Sequence, residues 1–185
     1  PPTLFEHQKR KTNTKEKSES TNKVEGMFIV KVKLNNDNTA AIFYRTSTDK
    51  EAKEVYYTGK DQVTEEFKTA FQATVAGFCG VIPKLQGDSN KITMNSIKFD
   101  YNASGFLDKA LYSIKYAFNE QNNAVVNIST PMLPIYKEGL DNCFTIAGIH
   151  VKALHDVIAE AKAYINGKTR IKQMKLVIDN SAEQE

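Results

Sequence analysis

Apolar and polar residues alternate from Met27 onward: Phe28, Val30, Val32 and Leu34 fall on one side of an extended chain, Lys31 and Lys33 on the other. That period of two predicts a half-buried antiparallel strand. Asn35-Asn36-Asp37-Asn38 predicts the turn after it, because Asn and Asp tolerate positive φ and bond their own backbone. Further strands are expected through 41–46 and 55–57, ending at Thr58-Gly59. The period then changes. Val63, Phe67, Ala70, Phe71, Val75 and Phe78 recur at three- and four-residue steps, which predicts a helix capped by Asp61 or Thr64 and ended by Gly77, Gly80 and Pro83.

The second half follows a similar order. Strands are predicted over 91–101, 110–118 and 124–129, with Asn122-Asn123 as a turn, then a short strand over 143–146. Val151, Leu154, Val157, Ile158, Ala161 and Ile165 mark a second helix that stops at Asn166-Gly167, and 170–179 reads as a closing strand. Shifting the chain by 84 residues lays Val30 to Asn35 on Ile114 to Asn119, and Asn38, Ala40 and Thr46 on Asn122, Ala124 and Thr130. The expectation is an α+β fold, antiparallel sheet(s) with two helices on one side, pseudo-duplicated from half-repeats 27–101 and 107–179. One domain then covers 27–182, with a polar basic tail or linker at 1–26 and a frayed end at 183–185.

Composition changes this picture little. The 185 residues are 41% hydrophobic and 25% charged, ordinary fractions for a globular chain, which excludes collagen-like, disulfide-scaffold and wholly disordered classes. No apolar run spans a bilayer and no basic-then-apolar leader is visible. The two cysteines, Cys79 and Cys143, sit in apolar settings that suit small core residues of a reducing, cytoplasmic or intracellular compartment. The net charge is +3, and residues 1–26, with six bases and four acids, hold +2 of it. A nearly neutral domain argues against tight tracking of a phosphate backbone.

Catalytic chemistry finds no motif. His150 and His155 are five apart on the second helix and so lie on different faces, and neither a thiolate cluster nor a phosphate-cradling loop accompanies them. Gly77-Phe78-Cys79-Gly80 has GxxG spacing but apolar residues between its glycines, which suits a helix end better than an RNA loop. The expectation is therefore a protein that is not an enzyme and holds no metal or cofactor.

Binding remains, in two forms. The first is assembly with another protein or with copies of itself, through a sheet edge, the proline-stiffened 130–142 loop and the N-terminal arm. Its candidate residues are Leu4, Phe5, Met132, Leu133, Ile135 and Tyr136. The alternative is single- or double-stranded nucleic acid, held by a basic and aromatic sheet face and the basic tail. Its candidates are Lys9, Arg10, Lys11, Lys31, Lys33, Tyr44, Arg45, Lys98, Tyr101 and Lys115, with Tyr44, Tyr57 and Tyr101 as the rings expected to be exposed.

Overall fold

The computed structural model describes residues 26–119, 124–136 and 144–169. Strand β1 (Phe28–Leu34) turns at Asn35–Asn38 into β2 (Ala40–Arg45), and β3 (Val55–Thr58) follows. Asn38 takes a φ of +63°, and the Asp37 carboxylate accepts bonds from the Thr39 backbone N–H and hydroxyl, the Asx geometry that this tetrapeptide favours. Helices α1 (Glu65–Ala73) and α2 (Val75–Val81) come next, and a 3-10 helix over Pro83–Lys91 leads into β4 (Ile92–Tyr101). Then come β5 (Leu107–Asn119), β6 (Ala124–Ser129), the two-residue β7 (Leu133–Pro134) and α3 (Gly148–Ile165).

The strands form one antiparallel sheet in the order β3-β2-β1-β4-β5-β6, with β7 also paired to β5. The chain is thus α+β, with seven strands and three helices among the described residues. The helices pack on one face. Ile29, Val32, Ile42, Ile97, Tyr112 and Ile114 from the strands meet Phe67, Phe71, Phe78, Leu154 and Val157 from the helices, all buried in one cluster. Burying each such side chain contributes roughly 1.5–3 kcal/mol, and that contribution holds the helices to the sheet.

Several local expectations are corrected. The single helix expected over 63–78 is two, because Thr74 turns its hydroxyl back onto the Phe71 carbonyl at 2.6 Å and the helix restarts at Val75. Thr64 is its N-cap, accepting from the Phe67 N–H at 3.3 Å. Gly77 and Gly80 do not end a helix. They lie inside α2, where a Cβ on Gly77 would come within 2.7 Å of the Tyr112 hydroxyl and one on Gly80 within 3.0 Å of His150 Nε2. Their bareness lets α2 approach the sheet and α3.

In β1 a bulge lies between Ile29 and Lys31, so the buried residues are Ile29 and Val32, whereas Val30 is only half-buried. The expected alternation of Phe28, Val30, Val32 and Leu34 is broken there. Of the short strand expected over 143–146, the described residues 144–146 form one parallel bridge, between Ile135 and Ile146, and Cys143 lies outside the described residues.

The pseudo-duplication is not shown by the described residues. β3 pairs with β2, whereas β7 pairs with β5, and the expected strand 170–179 lies outside the described residues. The tail 1–25 lies outside them as well.

Candidate functional site

The strand residues that alternate with the core point away from the helices and make the second face of the sheet. Its registers are direct cross-strand rows. One runs Tyr56, Phe43, Lys31, Lys98, Leu111 across five strands. The next runs Thr58, Ala41, Lys33, Ser96, Ser113, Ser129, with the Ser129 hydroxyl donating to Ser113 Oγ at 3.0 Å. A third holds Thr93, Lys115 and Asn127. Lys109, opposite Asp100, adds a further cation.

The aromatic end of the first row is a pair. The Phe43 and Tyr56 rings lie 4.8 Å apart at a 40° tilt, and the Lys31 ammonium sits 5.7 Å from the Phe43 centroid. Ring, ring and cation therefore adjoin, with Tyr56 57% exposed. Lys31, Lys33, Phe43 and Tyr56 together line a shallow depression of about 400 Å³.

Charge is sorted between the two sides of the molecule. On the helices, cations meet acids: Lys68 with Glu65 at 3.0 Å, Lys152 with Asp156 at 2.6 Å, Lys168 with Glu160 at 3.0 Å. On the sheet face, Asp100 is taken by Lys50 at 2.9 Å, and among the described residues Lys31, Lys33 and Lys98 have no acidic partner. Lys115 donates to Asn36 Oδ1 at 3.3 Å, a neutral acceptor. A near-zero net charge over the domain thus conceals a cationic face, and overall neutrality does not count against a polyanionic partner.

The structure brings together part of the expected nucleic-acid set. Lys31, Lys33, Lys98 and Lys115 share the open face. The others part from it. Arg45 is 6% exposed and donates from Nη1 to the Asp49 carbonyl at 2.9 Å. Tyr101, expected to be an exposed ring, is buried, and its hydroxyl donates to the Ile29 carbonyl at 3.0 Å. Burial pushes that hydroxyl far above the ordinary tyrosine range. Tyr44 pairs with Ile29 and packs against the core, half-buried.

Tyr57 is also half-buried, its ring edge-on to Tyr164 at 5.9 Å, and burial followed by the Asp61 carboxylate raises its hydroxyl. Phe43, Tyr56 and Lys109 also stand on the open face, and the sequence pattern does not single them out. The signal for Phe43 and Tyr56 was their odd-and-even match to Lys31 across the hairpins, which requires the register to be known. Lys9, Arg10 and Lys11 lie outside the described residues.

Of the expected assembly residues, Leu133 and Ile135 are 2% and 8% exposed and belong to the core. The Ile135 N–H donates to the Asp108 carbonyl at 2.9 Å, so this stretch of the loop closes over the core. Met132 and Tyr136 remain exposed, and Leu4 and Phe5 lie outside the described residues.

Among the described residues no group of three or more His, Cys, Asp or Glu gathers as a metal set, and no helix is long and apolar enough to cross a membrane. Comparison with protein-family models, with curated proteins and with solved structures finds no match to this chain.

Proposed function

We propose that this protein binds single-stranded nucleic acid on the open face of its sheet. One observation carries the reading: the row Tyr56, Phe43, Lys31, Lys98, in which two rings and two cations lie side by side with no carboxylate between them. Flat rings stack bases of any sequence, and ammonium groups beside them follow the phosphates. Among the described residues the face carries no projecting helix, which suits splayed bases better than a duplex groove. Hydroxyls and an amide from Ser113, Thr93 and Asn127 add neutral donors that can meet phosphate and sugar oxygens.

The test is fluorescence anisotropy of labelled 12-mers, single-stranded DNA and RNA against a duplex of the same sequence, from 50 to 200 mM salt. Single strands should bind more tightly than the duplex. Four phosphate contacts give a log–log salt slope of about −3 for a single strand. Absence of salt-dependent binding at any of these concentrations would end the reading.

A second reading, self-association, is favoured by β6. It is the last strand of the sheet among the described residues, carries no charge, and exposes Val125 and Val126 beside Phe118. An uncharged apolar edge is a template for pairing with another strand. Light scattering should show a dimer that Val126→Lys converts to monomer; a monomeric parent protein removes this reading.

A further inference from the structure

The row Tyr56, Phe43, Lys31, Lys98, Leu111 is sorted along its length. Its rings stand on β3 and β2, its cations on β1 and β4. Neither of the other two rows, Thr58 to Ser129 and Thr93 to Asn127, holds a ring. Stacking on these rows is therefore available at one place, the Phe43–Tyr56 pair, where Tyr56 is largely exposed.

That place is at a margin. Among the described residues β3 is the last strand on its side of the sheet, so beyond the rings lies its edge. On the other side the cations follow in order. Lys31 sits 5.7 Å from the Phe43 centroid. Lys98 faces Lys31 from the next strand, about 4.8 Å further at ordinary strand spacing. Lys33 adjoins Lys31 along β1, and Lys115 stands beyond on β5.

Rings and cations are joined only across the strands, because no strand of the row puts both on this face. β1 contributes Lys31 and Lys33, β2 Phe43 and Ala41, and β3 Tyr56 and Thr58. A bound strand that uses both must cross the sheet from β3 toward β5.

We infer that the footprint on this face is one-sided: one stacked base on Phe43 and Tyr56, and backbone on one side of that base only, over Lys31 and Lys98. The inference rests on the single-strand reading above. The two neighbours of a stacked nucleotide leave it in opposite directions, so one meets the lysines and the other passes over the β3 edge. A terminal nucleotide therefore satisfies the face as fully as an internal one, and a single-stranded end or short overhang is as good a ligand as the interior of a long strand.

The experiment uses the full chain and labelled abasic 12-mers that carry one thymine at the 5′ end, in the middle or at the 3′ end, with a fully abasic 12-mer and dT 12-mer beside them, by anisotropy at 50 mM salt. The middle thymine should tighten binding about 5-fold or more over the abasic strand, the least that one base–ring stack yields. At least one end thymine should match the middle one to well within that factor, and the end that does so gives the direction of the strand across the sheet. Tyr56→Ala should bring these strands down to the abasic level. Lys98→Ala should weaken every strand, the abasic one included. A middle thymine that binds about 5-fold or more tightly than both end thymines overturns the one-sided footprint and spares the single-strand reading. A thymine that adds nothing at any position overturns the ring pair as a stacking site, and this inference with it. No salt-dependent binding of the dT 12-mer overturns both readings.

Discussion

Lys31 of β1 and Lys98 of β4 stand directly opposite one another on the open face of the sheet. Neither has an acidic partner among the described residues. Like charges facing across strands oppose folding, so this pair costs stability of roughly 0.2–1 kcal/mol. A bound polyanion reverses the sign of that contribution, because both ammonium groups then approach phosphate.

Lys31→Ala and Lys98→Ala are therefore expected to act in opposite directions on stability and on binding. Urea denaturation should show each variant as stable as the parent or more so, by up to about 1 kcal/mol. The same variants should bind oligonucleotide more weakly, each lowering the magnitude of the salt slope by about 0.7. Unchanged affinity in both would make them solvated surface charges.

Tyr56 carries much of its ring in solvent, and Phe43 lies half-buried beneath it. Tyr56→Ala should lower single-strand affinity by roughly 1–3 kcal/mol, the worth of one stacked base. Its urea midpoint should shift little, since an exposed ring contributes little burial. A large loss of stability with normal binding would assign the ring to the fold instead.

Tyr164 ties α3 to the opposite end of the sheet layer. Its hydroxyl donates to the Asp61 carbonyl at 2.5 Å and accepts from the Ala40 N–H at 3.4 Å. Tyr164→Phe removes both and should cost about 1–3 kcal/mol, because a buried carbonyl and N–H lose their partner. Gly59→Ala should be destabilising as well, since its Cβ would overlap the Tyr164 ring and hydroxyl. Thermal melts of the two variants check both, and an unchanged midpoint in either contradicts this packing.

Acid should loosen two turns before it unfolds the core. Bonds from the Thr39 N–H and hydroxyl hold the Asp37 carboxyl below its ordinary value of 3.8. Lys91, then Tyr116, does the same for Asp88. A folded pKa below the unfolded one stabilises at pH values above the unfolded pKa and is lost as pH falls through the folded one. Melting temperature should thus be flat near neutrality and fall below about pH 4, with Asp37→Ala and Asp88→Ala showing a shallower fall. An identical acid limb in both variants would show that other carboxylates govern it.

Much of the architecture was legible. The spacing of Val63, Phe67 and Phe71 and the later run from Val151 to Ile165 marked the helical segments, and period-two stretches marked β1, β4, β5 and β6. The sites were harder to see, because a bulge adds one residue and shifts every later side chain to the other face. The bulges beside Val30 and Asn95 escape any count of alternation, since no residue type announces them. Tyr101 shows the same limit. Its type and its neighbour Lys98 suit a stacking platform, yet its position on β4 turns it into the core.

The amino-acid order by itself determined that this chain alternates strands with amphipathic helices, and that Lys31, Lys33, Lys98 and Lys115 oppose the apolar positions beside them. Local periodicity suffices for that, because it depends only on backbone geometry within one element. Only the tertiary structure decided that these four lysines stand together, that Phe43 and Tyr56 join them, and that Lys68, Lys152 and Lys168 on the helical side each meet an acid. Strand order and register belong to pairings between distant residues. A sum over the residues after the basic tail gives a charge near zero, whereas a sheet sorts that charge between its two faces.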